Sequence, residues 1–519
     1  MPERDLRLTD LPAEEDSLAG AHGGEVQQSL LQALHLDTGV VEHAHALGDP
    51  VGFPLDGRRG LLEIARPEVA AVARDLDDEL RLAPLRLGQG APVGDHPFRH
   101  RSELGERLVR LLEREGASHA SMINGAVGVG QRLREERPAR RDLRVELASG
   151  PALGIFLWSR AATWVAALFA LFWFEPHRHP NAHTWDRPVL HDLGSFTDVW
   201  ARWDSVFFLR IAEHGYDGTT AAFYPLYPGL VALLGRVFFG HYVVAGIVVS
   251  LAAALGAFLL LQRLAEEHLG ADGARRAVLY LAVFPTALFL QAVYSESLHL
   301  LLVLAAFVLA ERGRFAGAGI VAGLAILTRV TGLALLPALA LLAWRNRDRV
   351  RSFTGLALAV PVAAVYPLLL WQQIDDPWAF VHAQERWHRH LSAAGPLGGI
   401  WDALRHWVPP GADRQHAIAV NGEALVVLAL LIALTALAWR RFGAPYGLFA
   451  AVSLAIPLSL PSDRWPLLSM PRFGLVIFPV FLALAVLGGR PRVHTAIVAV
   501  GSLFLGVAAA QWALWQWVS

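Results

Sequence analysis

The chain has 519 residues, 54% of them hydrophobic, with a mean hydropathy of +0.39 and a net charge of −1 at pH 7. So apolar a chain of this length reads as a multispanning membrane protein rather than a soluble globular one. Its 45 basic residues are all arginine and face 46 acids, which excludes the basic excess of a nucleic-acid binder; the absence of cysteine excludes disulfides, zinc thiolate sites, thiol nucleophiles and c-type haem attachment.

Charge divides the chain. Residues 1–150 hold 19 Arg and 26 Asp or Glu, whereas residues 151–519, more than twice as many, hold 26 and 20. Residues 1–150 are therefore expected to form a polar, flexible N-terminal extension, with helix-like stretches at 61–87 and 102–115 and no motif that carries chemistry. Met122 is the only methionine between Met1 and Met470, so a second expectation is a translation start near Met122 with a gene-model artefact upstream. The first thirty residues lack a basic segment followed by a short apolar one, so no cleavable signal peptide is expected and the first membrane helix does the targeting. Ahead of that helix, Arg132, Arg134, Arg137, Arg140, Arg141 and Arg144 outnumber four acids and mark a cytoplasmic anchor.

Residues 151–519 are expected to be the multispanning domain. Apolar runs fit to cross a hydrocarbon core of about 30 Å lie near 153–174, 242–261, 277–292, 297–311, 315–328, 331–344, 355–371, 423–439, 445–460, 474–488 and 494–516, which gives eleven spans. From a cytoplasmic N-terminus, the inner loops then carry Arg263, Arg275 and Arg276; Arg312 and Arg314; Arg345, Arg347, Arg349 and Arg351; Arg440 and Arg441; Arg490 and Arg492. That alternation satisfies the positive-inside rule. Counting 224–240 as a span inverts every later loop, so this run, with Pro225, Pro228 and Arg236, reads as a helix at the interface. Fusing 315–344 breaks the same alternation. The two long polar loops, 175–241 and 372–422, and the short loop 461–473 all fall on the extracytoplasmic face, where nucleotide sugars are absent and a lipid-carried substrate is required.

The first outer loop places Phe196, Val199, Trp200, Trp203, Val206 and Phe207 on one helical face and Asp198, Arg202 and Ser205 on the other, an amphipathic juxtamembrane helix with aromatic anchors. Asp204 sits at the flank of the apolar face, either as a solvated interface acid or as a general base at headgroup level. Glu296 follows Tyr294 and Ser295 at a membrane boundary, where a carboxylate is costly. It is either a functional acid or a cap on the next helix. Arg329, between Thr328 and Val330, is either a phosphate ligand or a structural partner of an outer acid such as Glu296. Arg472, after Pro471, is a second potential phosphate ligand. Asp375 and Asp376 before Pro377 read as a turn more readily than as a metal-binding pair, and His177, His179 and His183 resemble a metal cluster only loosely.

Taken in order, Trp203-Asp204-Ser205, Glu213-His214-Gly215-Tyr216, Phe223 to Pro228, Tyr294-Ser295-Glu296-Ser297 and Thr328-Arg329-Val330-Thr331-Gly332 resemble the PIG-V family of mannosyltransferases, in the GT-C class of integral membrane glycosyltransferases. Asp376-Pro377-Trp378 and Pro471-Arg472-Phe473 extend the likeness more loosely. The resemblance implies an all-α polytopic bundle and transfer of mannose from a polyprenyl or dolichyl phosphate to an acceptor hydroxyl on the outer face. The lysine-free, arginine-rich composition resembles that of a GC-rich bacterial genome, which makes an envelope glycolipid, glycan or protein the expected acceptor. Asp204 is implied as the base of an inverting single displacement. Arg329 and Arg472 would stabilise the phosphate leaving group, and Glu296, Tyr294, Trp203, Arg202, Glu213 and Tyr216 would bind substrate. No cofactor is demanded, with a divalent metal left open. The other classes are a transferase for another lipid-linked sugar, a flippase or transporter, whose charges would gather at the midplane, and a noncatalytic assembly subunit.

Overall fold

The computed structural model describes residues 151–175, 185–405, 407–409, 413–463 and 465–518. The polar extension, Met122, the 177–183 histidines and Arg464 lie outside them. Among the described residues the secondary structure is helical, with a single isolated bridge between Arg389 and Ser462.

Five helical segments are long and apolar enough to cross a membrane: α1 (Pro151–Trp173), α4 (Tyr242–Ala282), α8 (Arg349–Ile374), α10 (Arg414–Phe442) and α14 (Pro491–Ala513). Between them lie α2 (Ser205–His214), α3 (Leu226–Val237), α5 (Glu296–Glu311), α6 (Phe315–Ile326), α7 (Leu335–Arg345), α9 (Pro396–Arg405), α11 (Ala444–Leu458), α12 (Met470–Leu475) and α13 (Pro479–Leu487). Large apolar side chains stand exposed on the long segments, among them Trp158, Phe172, Leu368, Val426 and Leu503. An integral membrane protein presents such a surface to lipid tails.

The eleven expected spans are not matched one for one: five segments are long enough alone, others form shorter helices, and 277–292 is not a single helix. At 1.5 Å per residue, a helix of 10 to 16 residues covers about 15–24 Å, less than the hydrocarbon core. The run at 277–292 shows why an apolar stretch misleads. Gly270 breaks α4 with φ 69°, a conformation glycine adopts without penalty, and the helix then ends at Ala282. Residues 283–295 continue as turns and a short 3-10 helix, all buried except Val283 to Pro285 at its start. Irregular backbone at such depth needs its carbonyls satisfied by protein. Arg160, in the middle of α1, does this: its guanidinium donates to the carbonyls of Ala282 (3.0 Å) and Ala287 (2.5 Å).

The division of 315–344 is realised. The chain leaves α6 and folds back, so that a Cβ on Gly332 would lie 2.6 Å from the backbone of Ala325 and Ile326. Residues 224–240 form the short α3, whose 12 residues cover about 18 Å.

Candidate active site

The first outer loop does not form one amphipathic helix. A single helical turn, Ser195–Asp198, is followed by a break at Trp203, whose φ of 51° no helix accommodates, and α2 begins at Ser205. The side chains assigned to a polar face are not solvated either: Asp198, Arg202 and Ser205 are all buried. The break has a consequence for Asp204. Its carboxylate makes no capping bond to α2 and is free to turn inward.

There it meets residues from distant parts of the chain. Asp204 Oδ2 accepts a hydrogen bond from Arg472 Nη1 at 3.1 Å, and its backbone N–H donates to the Tyr294 hydroxyl at 3.0 Å. Arg472 Nε lies 3.5 Å from Glu296 Oε1, and that same oxygen accepts from Arg329 Nη1 at 2.5 Å. The result is an alternating chain, Arg329, Glu296, Arg472, Asp204. The side chains of the four are between 0% and 15% exposed. Glu296 is the first residue of α5 and bridges two guanidiniums rather than capping the helix. The pairing of Arg329 with Glu296 is the structural alternative that its sequence position allowed.

Removing four charges from water is expensive, and their attraction repays this only with good geometry. Nor is the bonding complete: Asp204 Oδ1 and Glu296 Oε2 are buried without a hydrogen-bond partner among the described residues. Buried, incompletely paired ionic groups in a concave site point to function rather than to stability.

Asp204, Tyr294, Arg329 and Arg472 line a cavity of about 170 Å³ together with Ser295, Thr328, Gln384, Arg389, Ser469 and an apolar wall that includes Phe208, Phe223, Tyr224, Ile456, Phe473 and Trp517. Arg389 is the member that sequence reasoning passed over. Its guanidinium donates to the carbonyls of Leu460 (3.0 Å) and Leu468 (3.4 Å) and forms no ion pair among the described residues. With Arg389 the site holds three guanidiniums and two carboxylates, a surplus of positive charge facing the cavity.

The remaining sequence candidates do not line the cavity. Arg202 donates to the carbonyls of Asp198 (2.8 Å) and Ala201 (3.3 Å) and stacks 4.3 Å over the Trp515 ring. Trp203 packs edge-on against Trp515 and Trp517, supporting the wall from behind. Glu213 is exposed at the end of α2 beside His214, and burial of part of its carboxyl pushes its pKa up. Tyr216 is a tie between segments: its hydroxyl donates to Phe223 O at 2.7 Å and its N–H to Gln373 Oε1 at 2.9 Å. Asp376 accepts from Trp378 N and His382, the turn expected of Asp before proline, and the His382 contact holds its carboxyl below the usual range. Among the described residues no group of three or more His, Asp or Glu side chains gathers at metal-ligand spacing.

Residues 192–343 match the family model described as Mannosyltransferase (PIG-V). This stretch is a PIG-V mannosyltransferase domain. It is thus a glycosyltransferase domain, and it contains Asp204, Tyr294, Glu296 and Arg329, while Arg389, Arg472 and Trp517 reach the same cavity from beyond the PIG-V segment. No curated protein matches the chain. Among solved structures it is similar to ArnT from Cupriavidus metallidurans bound to undecaprenyl phosphate, at 17% identity and a TM-score of 0.39, over 69% of this chain and 64% of that one. It is also similar to the oligosaccharyltransferase of Archaeoglobus fulgidus in the apo form, at 14% identity and a TM-score of 0.35, over 70% of this chain and 56% of that one. The archaeal oligosaccharyltransferase AglB from Archaeoglobus fulgidus, in complex with an inhibitory peptide and a dolichol-phosphate, gives 15% identity and a TM-score of 0.34 over 69% of this chain and 55% of that one. The chain thus spans less than two thirds of the length of these structures.

Proposed function

We propose that the chain transfers mannose from a polyprenyl-phosphate donor to a hydroxyl of an envelope glycolipid, glycan or protein, with inversion at the anomeric carbon. The observation that carries this reading is Asp204: one carboxylate oxygen is held by Arg472, the other has no hydrogen-bond partner among the described residues, and the residue lines a cavity with three guanidiniums.

In this scheme the acceptor O–H gives its proton to Asp204 Oδ1 as its oxygen attacks the anomeric carbon from the side opposite the phosphate. The bond from that carbon to the phosphate oxygen breaks, and the electron pair leaves with the polyprenyl phosphate. Charge builds on the phosphate, so what the site must supply there is fixed positive charge rather than a proton. Arg389 has no carboxylate to satisfy and Arg329 and Arg472 share Glu296, so all three guanidiniums retain capacity for phosphate oxygens. Glu296 contacts both Arg329 and Arg472 through one carboxylate oxygen and so ties their positions together.

The distribution of charge supports an extracytoplasmic site. Glu296 opens α5 in the site, and Glu311 closes this 16-residue helix about 22 Å on. At that far end Glu311 contacts His268 and Tyr446, and Arg312 lies 3.8 Å from Glu267, amid the arginine-rich loops. The positive-inside rule puts those loops in the cytoplasm and the cavity outside, which favours a lipid-borne donor.

The test is transfer of labelled mannose from polyprenyl-phosphate mannose by membranes containing the chain, beside membranes containing Asp204→Asn. At equal protein levels the variant should be slower by about 100-fold or more, the usual worth of a general base. Equal rates would remove Asp204 from the chemistry, and transfer from other lipid-linked sugars only would replace mannose.

A further inference from the structure

The last turn of α14 and the residues after it pack onto the site and carry three tryptophans whose surroundings differ. Trp512 is 1% exposed, donates its indole N–H to Val199 O at 2.7 Å and packs edge-on against Phe289 and Tyr294. Trp515 is 7% exposed and clamped between the Arg202 guanidinium and Trp203. These two are anchors. They fix the segment against the residues that position Asp204 and Tyr294.

Trp517 is different. It packs on one side against Trp203, with ring centroids 5.3 Å apart and planes at 76°, yet 39% of it remains exposed, and it lines the same cavity as Asp204 and the three arginines. A large ring, held on one side by Trp203 and left partly open, thus joins the cavity's apolar wall in a site that also presents guanidiniums, a carboxylate and hydroxyls, so the cavity suits an occupant that is itself part apolar and part polar. The partner must be apolar on one face and hydroxyl-bearing at its edges. A pyranose ring meets this description, with its axial C–H bonds on one face and its hydroxyls around the rim. The indole face carries negative quadrupole density that attracts the weakly positive C–H hydrogens.

We infer that Trp517 is a stacking platform for the pyranose ring of a substrate, an inference that rests on the glycosyl-transfer reading above and names a contact outside the PIG-V segment. The ring belongs either to the donor mannose or to a sugar acceptor. In both cases the platform lines the same cavity as Asp204, and it orients the reacting carbon or hydroxyl relative to that carboxylate.

The full chain in lipid nanodiscs decides it, with three probes: polyprenyl-phosphate mannose, bare polyprenyl phosphate and octyl α-mannoside. Dissociation constants are measured for wild type, Trp517→Ala and Trp517→Phe. If the platform holds the donor sugar, Trp517→Ala weakens the mannosylated lipid by about tenfold, leaves the bare lipid unchanged, and Trp517→Phe stays within about threefold of wild type. If it holds an acceptor sugar, both lipids bind as before and only octyl α-mannoside is weakened. Unchanged binding of all three probes, or equal weakening of both lipids, overturns the inference and leaves Trp517 an interfacial anchor or a lipid contact. Failure of the donor reading looks different: wild type then binds neither lipid saturably, and the octyl α-mannoside comparison alone decides the role of Trp517.

Discussion

Glu296 is the residue on which the site's electrostatics turn, because one fully buried carboxylate oxygen serves both Arg329 and Arg472. Glu296→Ala leaves two guanidiniums without their shared partner in a nearly dry environment, and breaking a buried pair in this way costs about 3–5 kcal/mol. Thermal unfolding of the purified protein in detergent should show a large fall in midpoint. In the double variant with Arg329→Ala the loss should be smaller than the sum of the two single losses, since the second change removes one of the orphaned charges. Additive losses would mean that the two residues do not share an interaction. Asp204, Glu296, Arg329 and Arg472 were legible in sequence because charged residues at the edges of apolar runs are costly enough to stand out. Arg389 was not, for it lies among other charges in a polar loop, and only folding brings it to Leu460 and Leu468. Trp517 was hidden for the opposite reason, as one apolar residue following an apolar helix.

At the scale of elements, sequence patterning succeeded where charge marked a boundary and failed where only hydropathy was available. Arginine alternation required a reversal inside 315–344, and the backbone supplies it at 327–334, between α6 and α7. No such marker separates a buried helix from buried irregular backbone, so 277–292 passed for a span although the helix ends at Ala282. Nor did helical periodicity register the break at Trp203, a matter of one φ angle that turns Asp204 inward. The reversal depends on Gly332, since a methyl group there would meet the backbone at 2.6 Å, and backbone cannot step aside as a flexible side chain can. Gly332→Ala should therefore lower the unfolding midpoint and cut mannose transfer, because Arg329 sits in the same turn. Gly229→Ala, in α3, has nothing within 4 Å of the new methyl and serves as control. Replacing a mid-helix glycine should leave stability unchanged or raised by about 0.5–1 kcal/mol. Equal behaviour of the two variants would show that the close approach at Gly332 is relieved without cost.

The whole molecule sorts its charge along α5, with the paired, buried acids and arginines of the cavity at one end and exposed arginines at the other. This arrangement follows from the bilayer as solvent: charge inside the hydrocarbon must be paired, while charge at the cytoplasmic rim lowers the free energy of one orientation. The orientation is directly testable because the chain contains no cysteine, so each introduced thiol is the only one present. Cysteine at Gly218 or His390, both exposed at the cavity end, should react with a membrane-impermeant maleimide added to intact cells. Cysteine at Arg347 or Arg440, both exposed on the arginine-rich loops, should react only after permeabilisation. The reverse pattern would put Asp204 and its arginines in the cytoplasm, where nucleotide sugars are present, and would remove the reason for requiring a lipid-borne donor while leaving the chemistry of the cavity unchanged. Labelling of all four positions from outside would instead mean that the crossings between each successive pair number even rather than odd, and between Gly218 and Arg347 the fault would lie in the segments too short to span alone, α3, α6 and α7.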